Sequence, residues 1–389
     1  MKVMCWLSIV LLTSACTTTP IFAPPPDVTT LFHDDLFKPA SIHIDPDDAL
    51  AITPAMEEYA QTKLRFSPGR VDTEDRRVAL VSAMYKKGEL KLDYDATQTL
   101  TAAQAFESKR GNCLSLVLLT AVMAKQVGLP MHFQSVIGTT DWQKSDYFFM
   151  SVGHVNLALE SIPNQFELHT FSPYSVVVDF LPPDKAYVLD TIEISEQTVL
   201  AMFANNRAVE TMIQGNVDDA YWWARAAILE DQKYVNAYLT LGVIYRSLHR
   251  SDYAESVLEA IAKYEPNNTT MLTNQILVLR DLDRNAEANA LVIKLANLDS
   301  NPPWDYYLRA QNEYAAGHYE VARHLYEKEI ARDPEHHEIE YGLAQCYAKL
   351  NDIPRAIRHL KRAIELSQSG RNRAFYQSRL EMLTTAGGM

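Results

Sequence analysis

Five alanines, Ala220, Ala254, Ala288, Ala322 and Ala356, fall 34 residues apart in the C-terminal half of the chain. From Ser195 onward the apolar residues recur with the period of an α-helix. A fixed period of this length marks a repeated helix pair, a unit that cannot bury its apolar face alone and has to stack on its neighbours. A small residue at each period lets the two helices approach closely. Aromatic residues such as Tyr238, Tyr245, Tyr306 and Tyr326 fill the space between repeats. Pro266 and Pro334 end repeats, because proline does not continue a helix. The pattern predicts about five repeats over residues 201–370, with a polar capping helix and tail over 371–389.

The second repeat carries Tyr238, Leu241-Gly242, Tyr245, Ala254, Leu258 and Pro266. The fourth carries Tyr306, Ala310, Ala322, Tyr326 and Pro334, and the fifth Leu343-Ala344, Tyr347, Ala356 and Leu360. This resembles the tetratricopeptide repeat, although the first and third repeats depart from its pattern. The resemblance implies an all-α solenoid whose concave surface binds a protein or peptide partner.

The N-terminus reads differently. Lys2 precedes an apolar run, Val3 to Leu12, and then Thr13-Ser14-Ala15-Cys16. The run is too short for a permanent membrane span and reads as a signal peptide over residues 1–16. Small residues before Cys16 resemble a bacterial lipobox, in which the cysteine is lipidated. Here Thr13 occupies the position that such signals usually give to leucine, so plain secretion is the other reading. Residues 17–35, with Thr17-Thr18-Thr19-Pro20 and Pro24-Pro25-Pro26, read as an extended tether. The lipoprotein resemblance implies the cell envelope, a periplasmic body and, with Thr17 after the cysteine, the outer membrane. The net charge of −13 argues against nucleic acid and against a polybasic membrane contact, leaving the lipid as the membrane link. No CxxC and no Cys/His zinc spacing is present, so neither metal nor cofactor is expected.

Residues 36–195 place helix patterns before strand patterns, an α+β order. Helices are predicted from Thr53-Pro54, from Val71 and over Ala102 to Ser108, the last stopping at Gly111. Strands are predicted at Met131 to Ile137, Gly153 to Glu160, Phe166 to Thr170, Ser175 to Leu181 and Ala186 to Asp190. Thr139 to Met150 reads as a loop offering Trp142, Tyr147, Phe148 and Phe149 to a substrate or to the core.

The chemistry centres on Arg110-Gly111-Asn112-Cys113-Leu114-Ser115. An apolar helix begins there and ends at Gly128-Leu129-Pro130. Free N–H groups and the positive end of the helix dipole favour thiolate over thiol at Cys113. A nucleophilic cysteine needs a histidine within reach and a group to orient it. His154 opens a strand and shares its face with Asn156, whereas His132 sits close to the end of the Cys113 helix and His169 in an aromatic segment. For the orienting acid, Asp179 lies in the apolar strand Val176-Val177-Val178-Asp179, and Asp190 is the second candidate.

Gly111-Asn112-Cys113, then Gly153-His154-Val155, then Val178-Asp179 resembles the transglutaminase-like superfamily over roughly residues 50–195. The resemblance implies a papain-like α+β fold and a Cys113–His154–Asp179 triad. It also implies attack on an amide or ester carbonyl, an oxyanion bond from the Cys113 backbone N–H and a second one from Gln104. The chain departs from that pattern in the insertion Ser161 to Ser175 and in Asn156, where an aromatic residue is common. Two functions follow. One is an exported cysteine hydrolase or acyl transferase whose repeats recruit substrate. The other is a non-catalytic scaffold that binds a partner through the repeats.

Overall fold

The computed structural model describes residues 27–64, 76–86, 90–95, 98–145, 148–160, 175–180, 190–298, 304–332, 334–367 and 370–386. The signal peptide, Cys16, the first part of the tether, Tyr147 and His169 lie outside these residues.

Three short 3-10 turns, Val28–Leu31, Asp34–Leu36 and Pro46–Leu50, precede helix α1 (Pro54–Lys63). Thr53 caps α1 by accepting the Met56 N–H at 3.3 Å, and Pro54 stands where a missing N–H costs nothing. Helix α2 (Arg76–Tyr85), strand β1 (Asp93–Tyr94), helix α3 (Ala102–Ser108) and strand β2 (Arg110–Gly111) follow. The two strands pair in parallel, which the sequence pattern did not signal. α3 stops at Ser108, short of Gly111, because Lys109 turns left-handed at φ 55°. Helix α4 (Cys113–Gln126) is buried from Leu114 to Ala124, so it is apolar all round.

Strands β3 (Met131–Ser145), β4 (Phe148–Leu159), β5 (Val176–Val178) and β6 (Thr191–Ile194) form an antiparallel sheet in the order β5-β4-β3-β6. The loop expected over Thr139 to Met150 is instead mostly the far part of the β3–β4 hairpin, where aromatic residues favour a pleated surface. The side chains of Trp142, Phe148 and Phe149 lie outside the described structure. The register shifts between Val136↔His154 and Asp141↔Val152, so β3 carries extra residues opposite Gly153. A bulge of this kind bends the strand beside His154. The strands expected at Phe166 to Thr170 and, but for Asp190, at Ala186 to Asp190 lie outside the described residues, among which the last strand is Thr191–Ile194.

The C-terminal half is a stack of helix pairs: α5 (Glu196–Ile213) with α6 (Val217–Glu230), α7 (Val235–Ser247) with α8 (Ser251–Ala262), and α9 (Thr269–Asp281) with α10 (Asn285–Leu298). Then come α11 (Asp305–Ala315) with α12 (Tyr319–Arg332), α13 (His337–Lys349) with α14 (Ile353–Leu366), and the cap α15 (Gly370–Ala386). The first pair starts earlier than residue 201, because Ser195 caps α5 by accepting the Thr198 N–H at 3.1 Å. All five periodic alanines are fully buried at 0% exposure, which explains why the period tolerates so little volume. Gly342 shows the same closeness: a Cβ there would lie 2.5 Å from the Tyr326 ring.

Residues 27–35 do not hang as tether. With residues 36–44 they form a strap docked on α6, α7 and α8. His33 stacks on Tyr253 at 3.6 Å between ring centroids, and Phe37 stacks on Tyr221 at 3.8 Å. Tyr245 Oη donates to the Leu31 carbonyl at 2.8 Å, and the Ser41 N–H donates to Asp219 Oδ1 at 2.7 Å. Each aromatic stack is worth roughly 0.5–1.5 kcal/mol beyond its area, enough to hold a polar segment down. The turn Pro46–Leu50 then packs against α3, α4, α5 and α6. β4 packs on α4 and also on α7 and α9. The alternation expected in β4 is accordingly lost, and every residue from His154 to Leu159 is buried.

Candidate active site

Gly111 brings the chain into α4. A Cβ at this position would stand 2.6 Å from Ser115 Cβ, so only glycine lets the strand enter so tightly. Asn112 is the N-cap. Its Oδ1 accepts from the Ser115 N–H at 2.9 Å and from the Ser115 hydroxyl at 2.8 Å. The first intrahelical bond runs from the Leu116 N–H to the Asn112 carbonyl at 3.0 Å. The N–H groups of Cys113 and Leu114 precede that bond and are left over at the positive end of the helix. Cys113 is partly exposed and unpaired with any other cysteine.

His154 comes from β4 and is 7% exposed. Its Nε2 lies 2.7 Å from Asp179 Oδ1. Cys113 lies near enough to the same ring to act on its charge. Burial pushes the imidazole down, but the hydrogen bonds to Asp179 and Cys113, with the charges of both, outweigh it and raise the ring from 6.5 to about 9. A buried imidazolium flanked by a carboxylate and a sulfur is the result.

Asp179 follows β5. Leu157 pairs with Val178, and continuing that register by one residue sets Asp179 opposite Asn156. Asn156 Nδ2 donates to Asp179 Oδ2 at 3.4 Å, and Tyr85 Oη donates to the Asp179 carbonyl at 3.2 Å. Asn156 in turn stands opposite Gln134 on β3, which stands opposite Glu193 on β6. Asp179, Asn156, Gln134 and Glu193 therefore share one row across the sheet. Asn156 Oδ1 and Gln134 Oε1 are buried without a partner among the described residues. The row fixes the acid that faces His154.

Of the sequence candidates, Cys113, His154 and Asp179 are brought together. Gln104 is exposed and its Oε1 accepts the Thr101 N–H at 3.0 Å, in a capping box completed by the Gln104 N–H and Thr101 Oγ1 at 3.2 Å. That structural work accounts for its presence. His132 lies on the row of Ala158, well along the strand from His154, and faces Glu193 at 3.3 Å. Asp190 is exposed, just before β6. Sequence reasoning missed Thr99, which is 1% exposed and accepts from Asn112 Nδ2 at 2.8 Å, and it missed Tyr85. Neither position carries a local signal. A cavity of about 580 Å³ lined by Lys91, Asp93, Asp95, Lys109 and Arg110 opens beside the β1–β2 ribbon, just upstream of the cysteine. His43, Asp45 and Asp48 bring one donor atom each within 4.8 Å on the strap side, but His43 and Asp48 are exposed, Asp45 is half-buried, and the three are separate from the Cys113 network.

The comparisons bear on the repeats. A family profile for the tetratricopeptide repeat matches residues 307–371. No curated protein matches the chain. Among solved structures, it is similar to a thermophilic TPR protein of Thermus thermophilus, at 16% identity and TM-score 0.41, over 46% of this chain and 98% of that one. A tetratricopeptide repeat protein of Parabacteroides merdae aligns at 15% identity and TM-score 0.39, over 48% and 73%. YrrB, described as a TPR protein with an unusual peptide-binding site, aligns at 17% identity and TM-score 0.30, over 46% and 92%. Residues 307–371 thus carry tetratricopeptide repeat, a helical unit of the kind used in protein–protein interaction.

Proposed function

We propose that the chain is an exported cysteine hydrolase or acyl transferase with a transglutaminase-like, papain-like α+β unit, whose repeats recruit a protein or peptide. The observation that carries this reading is the juxtaposition of Cys113 at the start of α4 with His154, whose Nε2 is 2.7 Å from Asp179. In this reading the Cys113 thiolate attacks an amide carbonyl. Negative charge develops on the carbonyl oxygen and is met by the Cys113 N–H. The C–N bond breaks as His154 passes its proton to the departing amine. Water, or an amine acceptor, then adds to the thioester, gives its proton to His154 and releases sulfur. Asp179 holds the ring orientation and stabilises the imidazolium without taking the proton.

Iodoacetamide labelling of the native chain tests the chemistry. Fast modification of Cys113 at pH 6 that slows in His154→Ala supports the hydrolase. Slow labelling indifferent to His154 leaves a scaffold that acts through the repeats alone.

The N-terminal pattern supports lipidation at Cys16 and a periplasmic body on the outer membrane. Metabolic palmitate labelling of wild type and Cys16→Ala tests this, and an unlabelled wild type leaves plain secretion.

A further inference from the structure

The start of α4 is not held by its own domain alone. Thr99 is a fully buried node between Asn112 and the first repeat helix. Its N–H donates to Glu210 Oε1 at 2.7 Å. The hydroxyl oxygen accepts from Asn112 Nδ2 at 2.8 Å and from Asn206 Nδ2 at 3.3 Å. A hydroxyl oxygen has two acceptor sites, and both are used. Arg207 closes the network, donating to Glu210 Oε2 at 2.9 Å and to the Thr99 carbonyl at 3.4 Å. On the other side, the Leu100 N–H donates to Ser115 Oγ at 2.7 Å, and that hydroxyl donates to Asn112 Oδ1.

We propose that the first repeat helix is part of the Cys113 site, with Glu210 a positioning residue that acts through Thr99 and Asn112 on the start of α4. The inference rests on the reading of Cys113 as a nucleophile. The Glu210 carboxylate holds the Thr99 backbone, directly at its N–H and through Arg207 at its carbonyl, and so fixes the hydroxyl oxygen where Asn112 Nδ2 donates to it. Polarising that amide strengthens Oδ1 as the acceptor for the Ser115 N–H. A chain of bonds in a buried setting reinforces each link in this way. Cutting it frees the Asn112 amide to rotate, uncaps Ser115 and loosens the first turn, which carries the Cys113 and Leu114 N–H groups. No water is at hand to substitute, since Ser115 and Thr99 are 0% and 1% exposed. The repeats then do more than recruit: one of their helices sets the reactivity of the cysteine.

The test uses the full chain with Thr99→Val, Thr99→Ser and Glu210→Gln. The readouts are the iodoacetamide rate at Cys113 across pH 6 to 9 and the thermal midpoint. Thr99→Val keeps the shape and loses the hydroxyl; it should slow labelling at pH 6 roughly tenfold and move the acid limb of the profile to higher pH. Thr99→Ser keeps the hydroxyl and should stay within about twofold of wild type, even where loss of the methyl lowers the midpoint. Glu210→Gln should fall between them, and it carries the test by itself where Thr99→Val does not fold. Wild-type rate and profile in both Thr99→Val and Glu210→Gln, with only the midpoint lowered, would make the network structural and overturn the inference. Thr99→Ser as slow as Thr99→Val would also overturn it. Wild-type labelling that is slow and unchanged by His154→Ala fails differently, by removing the nucleophile and the positioning role with it.

Discussion

Asp179→Asn removes the charge facing His154 while keeping a side chain of the same shape. In the wild type, Asp179 and Cys113 hold the imidazole at about 9 against burial, which favours the neutral ring. The rise above 6.5 corresponds to ~3 kcal/mol in favour of the imidazolium. The ring is only 7% exposed, so water screens little of it. With Asp179 gone, burial is the largest influence left, and His154 should titrate at or below its ordinary value. The assay is the rate of iodoacetamide addition to Cys113, followed by peptide mass spectrometry from about pH 5 to 10. The wild-type profile should change where His154 loses its proton, near pH 9. In Asp179→Asn at pH 7.5 the ring is neutral and no longer holds the thiolate, so the rate should fall about tenfold. His154→Ala should fall further at pH 6, since an ordinary thiol near 8.5 is well under ~1% thiolate there. Asp190→Asn should change the rate less than about twofold, because Asp190 is exposed and apart from the ring. An unchanged profile in Asp179→Asn, or a larger effect from Asp190→Asn, would refute the assignment of the acid.

The same pair links stability to pH. The folded value for His154 lies above the unfolded one, so its contribution is complete below 6.5 and is lost as pH rises through about 9. Denaturant midpoints of wild type and His154→Ala should therefore differ most near pH 6, by up to ~3 kcal/mol, and converge by about pH 10. Gly342→Ala should destabilise by about 1–3 kcal/mol, because its Cβ meets the Tyr326 ring at 2.5 Å. Gly242→Ala, where the nearest atoms stand 3.8 Å away, should stabilise α7 by up to ~1 kcal/mol, and equal effects in chemical denaturation would sink the packing argument. Cys346 is fully buried and burial pushes its thiol up to about 12, so it should label only on unfolding.

The solenoid was legible because its constraint is local and repeated. An alanine at each crossing is demanded by the approach of two adjacent helices, so spacing alone exposes it. Cys113 and its cap were legible for a similar reason: Gly111, Asn112 and Ser115 are neighbours in sequence and mark a helix start. His154 and Asp179 could be picked out as polar residues in apolar strands. Which acid faces the ring could not, because that depends on the pairing of Leu157 with Val178 across a long insertion. The start of the strap, residues 27–35, reads as tether because prolines and threonines dominate the segment just before it, Thr17 to Pro26. The residues that dock it, His33 and Phe37, find their partners near residues 220–250, and no local pattern announces contacts at that distance. Thr99 was invisible for the same reason. Its partners are one side chain 13 residues ahead and others more than 100 residues ahead.

These long-range contacts change what the repeats are to the rest of the chain. A sequence boundary near residue 195 suggests two bodies joined by a linker. The buried apolar residues instead run as one cluster from Val28 to Ala356. Tyr221 and Tyr245, both 0% exposed, owe part of their burial to Phe37 and His33 of the strap. Polar residues of the inner helices are closed off as well: Thr240 and Asn205 share a buried hydrogen bond at 2.7 Å, Thr270 and Thr273 are 5% and 2% exposed, and β4 packs on α7 and α9. Cutting near residue 195 would uncover these surfaces on both sides. The first two or three repeats are therefore covered in part by the chain itself. Helix α5 joins that stack, through Glu210 and Thr99, to the cap of the Cys113 helix.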